Sequence, residues 1–171
     1  MTNQQPEHGP PGMSEEQRAL MRAAAKRMDR VNEWLHVGGA LTPEEYERFA
    51  QSGITHVLDL REEEIPGVEN LVGLGISRSQ VPVPNGSAPT VEQLDEVVQW
   101  FDADGGTSTL YVHCQGGFGR ACTMAVGLLI ERGASLDDAV QQVREARPEM
   151  RVNNEQLVWL HSVEERRKAA R

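Results

Sequence analysis

The run Leu110-Tyr111-Val112-His113-Cys114-Gln115-Gly116-Gly117-Phe118-Gly119-Arg120 sets a thiol and a guanidinium at the two ends of a glycine-rich loop. Each residue type has a physical task if the ligand is a phosphoryl group. Gly116, Gly117 and Gly119 let successive backbone N–H groups turn inward without Cβ clashes. Arg120 supplies a planar fork able to hold two phosphate oxygens. A helix N-terminus and a nearby cation favour thiolate over thiol, so Cys114 would be a nucleophile aimed at phosphorus. Attack would give a phosphocysteine, which water then hydrolyses. Gln115, Gly116, Gly117, Phe118 and Gly119 would form the phosphate cradle together with Arg120. His113 is expected to orient the loop by hydrogen bonds, because a thiolate needs no base. A buried core cysteine beside a chance glycine turn is the bland alternative. The coincidence of His113, Cys114, Gly117 and Arg120 at one junction argues against it.

The elements that must position this loop can be read on either side of it. Thr109 to His113 reads as a strand, and Ala121 to Ile130 as a helix apolar all round, hence central. Trp34 to Val37 is a short strand ending at Gly38-Gly39; Ile54 to Leu60 is a buried strand, and Ser77 to Val83 a further one. Capping patterns at Ser14, Thr42 and Thr90 open helices, the second stopping at Gly53 and the third at Gly105-Gly106. Two more run from Ser135 to Pro148 and from about Asn154 to Lys168. Alternating strands and helices imply an α/β fold. The expected architecture is a central, mostly parallel sheet flanked by helices on both faces, with the phosphate-binding loop between a strand and the central helix.

The 171 residues suit one compact domain. Residues 1–13 are expected to be a disordered tail, 14–31 an N-terminal helix that packs on the body or mediates contacts, and 32–171 a single domain. With 17 basic and 26 acidic residues the net charge is -9, which repels nucleic acid and anionic membranes and excludes both as expected partners. Attraction for a phosphorylated substrate must therefore be local. Two cysteines do not make a disulfide scaffold, the N-terminus lacks a secretory pattern, and the expected location is the cytoplasm. No zinc-like spacing is present, so neither metal nor organic cofactor is expected. Cys122 reads as a small packing residue, with a resolving thiol for oxidised Cys114 as the lesser reading. Oligomeric state is not readable.

His113-Cys114, Gly117 and Arg120 resemble the His-Cys-x-x-Gly-x-x-Arg signature of the protein tyrosine and dual-specificity phosphatase superfamily. The resemblance extends to Trp34–Gly39, to Gly53–Leu60, and to Asp59-Leu60-Arg61-Glu62, which is similar to bacterial and phytase-like members. It continues through Val81–Pro84 and Arg147-Pro148 with Asn153, Asn154 and Gln156, covering roughly residues 34 to 163. It implies hydrolysis of phosphate monoesters. Two departures stand out. The family places an acid Asp on the loop after the Pro-rich segment, where this chain has Asn85. It also places Ser or Thr after the Arg, where this chain has Ala121, with Thr123 two positions on. Losing general acid catalysis typically costs about 10²–10⁴-fold.

Asp59 and the Glu62–Glu64 run, just past a buried strand, are candidate substitute acids; the glutamates equally suit a solvated turn. The other outcomes are a slow enzyme suited to good leaving groups, or a phosphate-binding pseudophosphatase. A sulfurtransferase of the rhodanese kind fits the glycine spacing and the C-terminal signature less well. With Gln115 and Phe118 in the loop and only Lys26 and Lys168 in the chain, polyphosphates are disfavoured. Phosphotyrosine or another aryl phosphate is the expected substrate class, with Phe118 either stacking on the leaving group or packing under the loop.

Overall fold

The computed structural model describes residues 11–62 and 70–171. Most of the expected tail, together with Glu63 and Glu64 of the acidic run, lies outside these. The described elements are α1 (Glu15–Ala25), β1 (Met28–Arg30), β2 (Leu35–Gly38), α2 (Pro43–Gln51), β3 (His56–Asp59) and α3 (Asn70–Gly73). They continue with β4 (Ser77–Gln80), α4 (Val91–Asp102), β5 (Leu110–His113), α5 (Arg120–Glu131), α6 (Leu136–Ala146) and α7 (Asn154–Ala169). The sheet order is β1-β2-β5-β3-β4, with every pairing parallel except the antiparallel β1–β2 edge.

The expected α/β architecture is observed, with two differences. The N-terminal helix does not extend to Arg30: it ends at Ala25, and Met28–Arg30 turns back to pair with His36–Gly38. The short helix α3 was not expected.

Period-two alternation sorts the strand side chains into two cores. Leu35, Val37, Leu58, Leu110 and Val112 join the larger one, under α4, α5, α6 and α7. Val57 and Tyr111 point the other way, toward Tyr46 and Phe49 of α2 and Leu71 of α3. Helix α5 is buried from Arg120 through Ile130, which is why it reads as apolar all round. Each of its large apolar side chains contributes about 1.5–3 kcal/mol by leaving water.

Register decides what meets at the end of the sheet. Gly38, His113 and Asp59 lie side by side where β2, β5 and β3 finish, and Gln80 flanks Asp59 on β4. In an open parallel sheet that carboxyl edge is where ligands bind. Among the described residues, no helix is long and apolar enough to cross a membrane.

Candidate active site

Cys114 leaves β5 at the centre of this edge, buried, and the chain then loops into α5. Helices α1, α2, α4, α6 and α7 each carry a side-chain cap, whereas α5 starts at Gly119 with none. Its first N–H groups have no intrahelical acceptor and no capping oxygen, which suits an anion.

The carbonyls of the loop explain how its amides are aimed. Cys114 O accepts from His113 Nδ1 at 3.1 Å, and Gln115 O from the Ala40 amide at 2.9 Å. Gly116 O and Gly117 O accept from Arg147 at 3.0 and 2.6 Å. Phe118 O accepts from the Arg151 amide at 2.7 Å, and Gly119 O from the Thr123 amide and hydroxyl at 2.9 and 2.8 Å. All six carbonyls are thus engaged by groups that flank the loop. In a planar trans peptide N–H points opposite to C=O, so each anchored carbonyl directs the following amide away from its anchor. The Gly117 N–H shows the result, donating to Cys114 Sγ at 3.2 Å.

Arg147 is fully buried and uses all five of its donors. Besides the two loop carbonyls it reaches Ala24 O at 3.0 Å, Asp29 Oδ2 at 2.8 Å and Arg27 O at 3.4 Å. Sequence reasoning placed Arg147 only within a resemblance and gave it no role. Its signal was available: Leu136, Ala139 and Val143 form the buried stripe of α6, and Arg147 falls one turn further on. A charged residue on a buried stripe requires partners.

Close backbone contact supplies the remaining support. Gly117 has φ +77°, and a Cβ there would overlap the Gly38 carbonyl group, so only glycine fits. The Phe118 ring covers Gly116 and lies 4.9 Å from the Arg147 guanidinium. Of the two expectations for Phe118, packing against the loop is the one this geometry supports.

His113 is fully buried. Since Cys114 O can only accept, Nδ1 carries the proton, and Nε2 of the neutral ring accepts from Tyr46 Oη at 3.3 Å. Burial lowers the His113 pKa to about 4 despite Asp59 nearby, so the ring is neutral at pH 7 and serves orientation. Burial, together with Asp59, pushes the Tyr46 hydroxyl up to about 12, and it remains a donor. Tyr46 had no signal in the sequence beyond its place in α2.

Asp59 does not fit the part of substitute acid. It is fully buried, and Arg61 grips it through Nε at 3.0 Å, a second guanidinium nitrogen at 3.1 Å and the backbone amide at 2.9 Å. Arg78 adds a contact at 3.0 Å. Burial alone would raise the carboxyl, but His113 and Arg61 outweigh it and hold the carboxyl below its usual value. With the imidazole uncharged near neutrality, the guanidinium is what keeps the proton off. A carboxylate held this way has no proton to donate. Its place is structural: Arg61 also donates to Gln115 Oε1 at 3.1 Å, tying β3 to the loop.

Arg120 is buried at the start of α5 and donates to Val83 O at 2.9 Å, joining the cradle to the segment that carries Asn85. Asn85 is exposed in the turn Asn85-Gly86. Three amides hold this segment in place: Gln93 donates to Pro82 O at 2.8 Å, Asn153 to Gly86 O at 2.7 Å and Gln156 to Ser87 O at 3.1 Å. Thr123 gives its hydroxyl proton to Gly119 O, so it does not replace the hydroxyl missing at Ala121. Cys122 is buried, donates to Gly117 O at 3.4 Å, and burial pushes its thiol well up. The geometry is that of the packing role.

The comparisons with known proteins agree with this geometry. The family model described as PTP-SAK, "Swiss Army Knife protein, DSP-PTPase phosphatase domain", matches residues 35–169. The crystal structure of Tk-PTP in the active form is similar with a TM-score of 0.72 and 29% identity, over 81% of this chain and 97% of that one. Human DUSP28 aligns at TM-score 0.73 and 24% identity, over 84% of this chain and 99% of that one. PTPMT1 in complex with PI(5)P aligns at TM-score 0.75 and 19% identity, over 84% and 97% of the two chains. These last two share the fold. A family match spanning β2 to α7 places this chain in the PTP-SAK family of DSP-PTPase phosphatase domains, hydrolases of the dual-specificity type.

Proposed function

We propose that the chain hydrolyses phosphate monoesters through a phosphocysteine on Cys114, with aryl phosphates such as phosphotyrosine as its substrate class. The observation that carries this reading is the anchoring of all six loop carbonyls from Cys114 to Gly119, which turns the following amides away from their anchors, the Gly117 N–H onto Cys114 Sγ. Arg120, at the end of this loop, would hold two phosphoryl oxygens and balance their charge.

In the first step the Cys114 thiolate forms an S–P bond while the bond from phosphorus to the leaving oxygen breaks. In the second, water attacks phosphorus, the S–P bond breaks and the thiolate returns, with inorganic phosphate as product. An amide at Asn85 cannot protonate the leaving oxygen, and Asp59 is committed elsewhere, so solvent supplies that proton. Substrates whose oxygen departs as a stable anion are therefore favoured. The loop offers Gln115 and Phe118 in place of lysines, which suits a single phosphoryl group better than a polyphosphate.

Asn85, together with the committed Thr123 hydroxyl, also favours a second reading: a domain that binds phosphate but scarcely turns it over. Phosphate release from p-nitrophenyl phosphate separates the two, using the native chain, Cys114→Ser and Asn85→Asp. The enzyme reading expects release that vanishes in Cys114→Ser. A native chain that binds orthovanadate yet releases no phosphate supports the binding module instead.

A further inference from the structure

The family match begins at residue 35, so α1 and β1 precede it. They are nonetheless built into the back of the cradle. Ala24 O and Arg27 O accept from Arg147, and Asp29 forms an ion pair with it at 2.8 Å while only 11% exposed. Ala25 O sits where a Cβ on Gly39 would be, and Arg27 O where a Cβ on Gly38 would be. Gly38 in turn abuts Gly117, and Ala40 next to Gly39 holds Gln115 O. Residues 24–29 thus form a layer behind Gly38–Ala40, which lies behind the loop.

Resting on the phosphate-binding part of that reading, we infer that this N-terminal segment is a positioning element of the phosphate cradle, with Asp29 acting through Arg147. The guanidinium must satisfy Gly116 O and Gly117 O on one side and the α1–β1 backbone on the other. Asp29 fixes which way the planar fork lies between them and neutralises its buried charge. If the fork tilts, the carbonyl of Gly116 loses its donor and that of Gly117 keeps only the Cys122 thiol, and the amides of Gly117 and Phe118 lose their aim. Arg27 braces the carboxylate from outside, through Nε at 2.8 Å and a second nitrogen at 2.9 Å, and is itself held by Glu149 at 2.9 Å. A chain of ion pairs therefore runs from the surface to the loop.

Positioning and electrostatics predict opposite outcomes for Asp29→Asn. Removing the carboxylate leaves the Arg147 charge uncompensated, and the field alone would tighten anion binding and speed alkylation by the anionic reagent. Loss of orientation does the reverse.

The test uses the 171-residue chain as native protein, Asp29→Asn, Asp29→Glu and Arg27→Gln. Orthovanadate affinity is measured by calorimetry, and the rate of Cys114 alkylation by iodoacetate is followed by mass spectrometry, each beside a melting curve. Asp29→Asn is expected to weaken vanadate binding and slow alkylation about tenfold each, which corresponds to about 1.4 kcal/mol, the scale of one net hydrogen bond. Asp29→Glu, which keeps the charge, should recover most of both, and Arg27→Gln, which removes the outer brace but leaves the Asp29–Arg147 pair, should fall between the native chain and Asp29→Asn.

A folded Asp29→Asn chain with native affinity and alkylation rate, or with both increased, overturns the inference. Should that variant not fold, Arg147→Lys takes its place. It keeps a cation beside Asp29 but brings three donors on one nitrogen where the fork meets five acceptors, and unchanged vanadate affinity there overturns the inference equally. A native chain that binds vanadate without turnover refutes the phosphatase reading and leaves this inference standing. One that does not bind vanadate refutes both.

Discussion

Replacing Gly117 by alanine tests the cradle at its tightest point. Gly117 has φ +77°, where an L-residue costs roughly 1–2 kcal/mol. Its Cβ would also overlap the backbone carbonyl of Gly38, whose neighbours are the α1–β1 carbonyls. Backbone on both sides cannot swing away as a side chain can, so overpacking adds about 1–3 kcal/mol. Gly53, φ +81° with nothing within 4 Å of its Cβ position, carries the conformational cost alone. Gly117→Ala should therefore cost about 2–5 kcal/mol against about 1–2 for Gly53→Ala. For a chain of this size each kcal/mol lowers Tm by about 2–4 °C, so scanning calorimetry resolves the two. Orthovanadate binding should be lost in Gly117→Ala and kept in Gly53→Ala. Equal melting temperatures, or vanadate binding retained in Gly117→Ala, would refute the argument that packing behind the loop sets its shape.

Three further outcomes follow from the same geometry. Because the folded-state pKa of His113 is lowered to about 4 from an ordinary 6.5, the unfolded chain binds more protons between these values, and stability rises with pH across that window. The contribution is complete above about pH 6.5 and is lost toward pH 4, on the order of 3 kcal/mol, and melting curves of native and His113→Asn chains across that range check it. Tyr46→Phe leaves His113 Nε2 buried without a donor, which should cost about 1–3 kcal/mol in urea unfolding and lower kcat with little change in KM. Asn85→Asp should raise turnover of phenyl phosphate far more than that of p-nitrophenyl phosphate, by up to about 10²-fold, because the poorer leaving group needs the acid. Equal gains on both would place residue 85 away from the leaving oxygen.

The strand, loop and central helix were legible because their chemistry is local. Glycine spacing, a preceding apolar strand and a following, mainly apolar helix all lie within Thr109–Ile130. Strand β1 was not legible, since Met28-Asp29-Arg30 follows a basic helix without a break and shows no alternation. Arg147 meets Gly117 across 30 residues, Tyr46 meets His113 across 67, and Asp29 meets Arg147 across 118. No short-range pattern encodes such contacts. Asp59 shows the converse. Its place past a buried strand made it a candidate acid, and only the guanidiniums of Arg61 and Arg78, which hold it as a buried carboxylate, reveal that it has no proton to donate.

The most direct measurement of the central claim is a rapid acid quench during turnover of p-nitrophenyl phosphate, followed by mass spectrometry of the peptide containing Cys114. A phosphoryl group on Cys114 that appears within the first turnover, decays as phosphate is released and is absent from Cys114→Ser is the predicted result. Phosphate released while Cys114 stays unmodified, or undiminished release from Cys114→Ser, would contradict it.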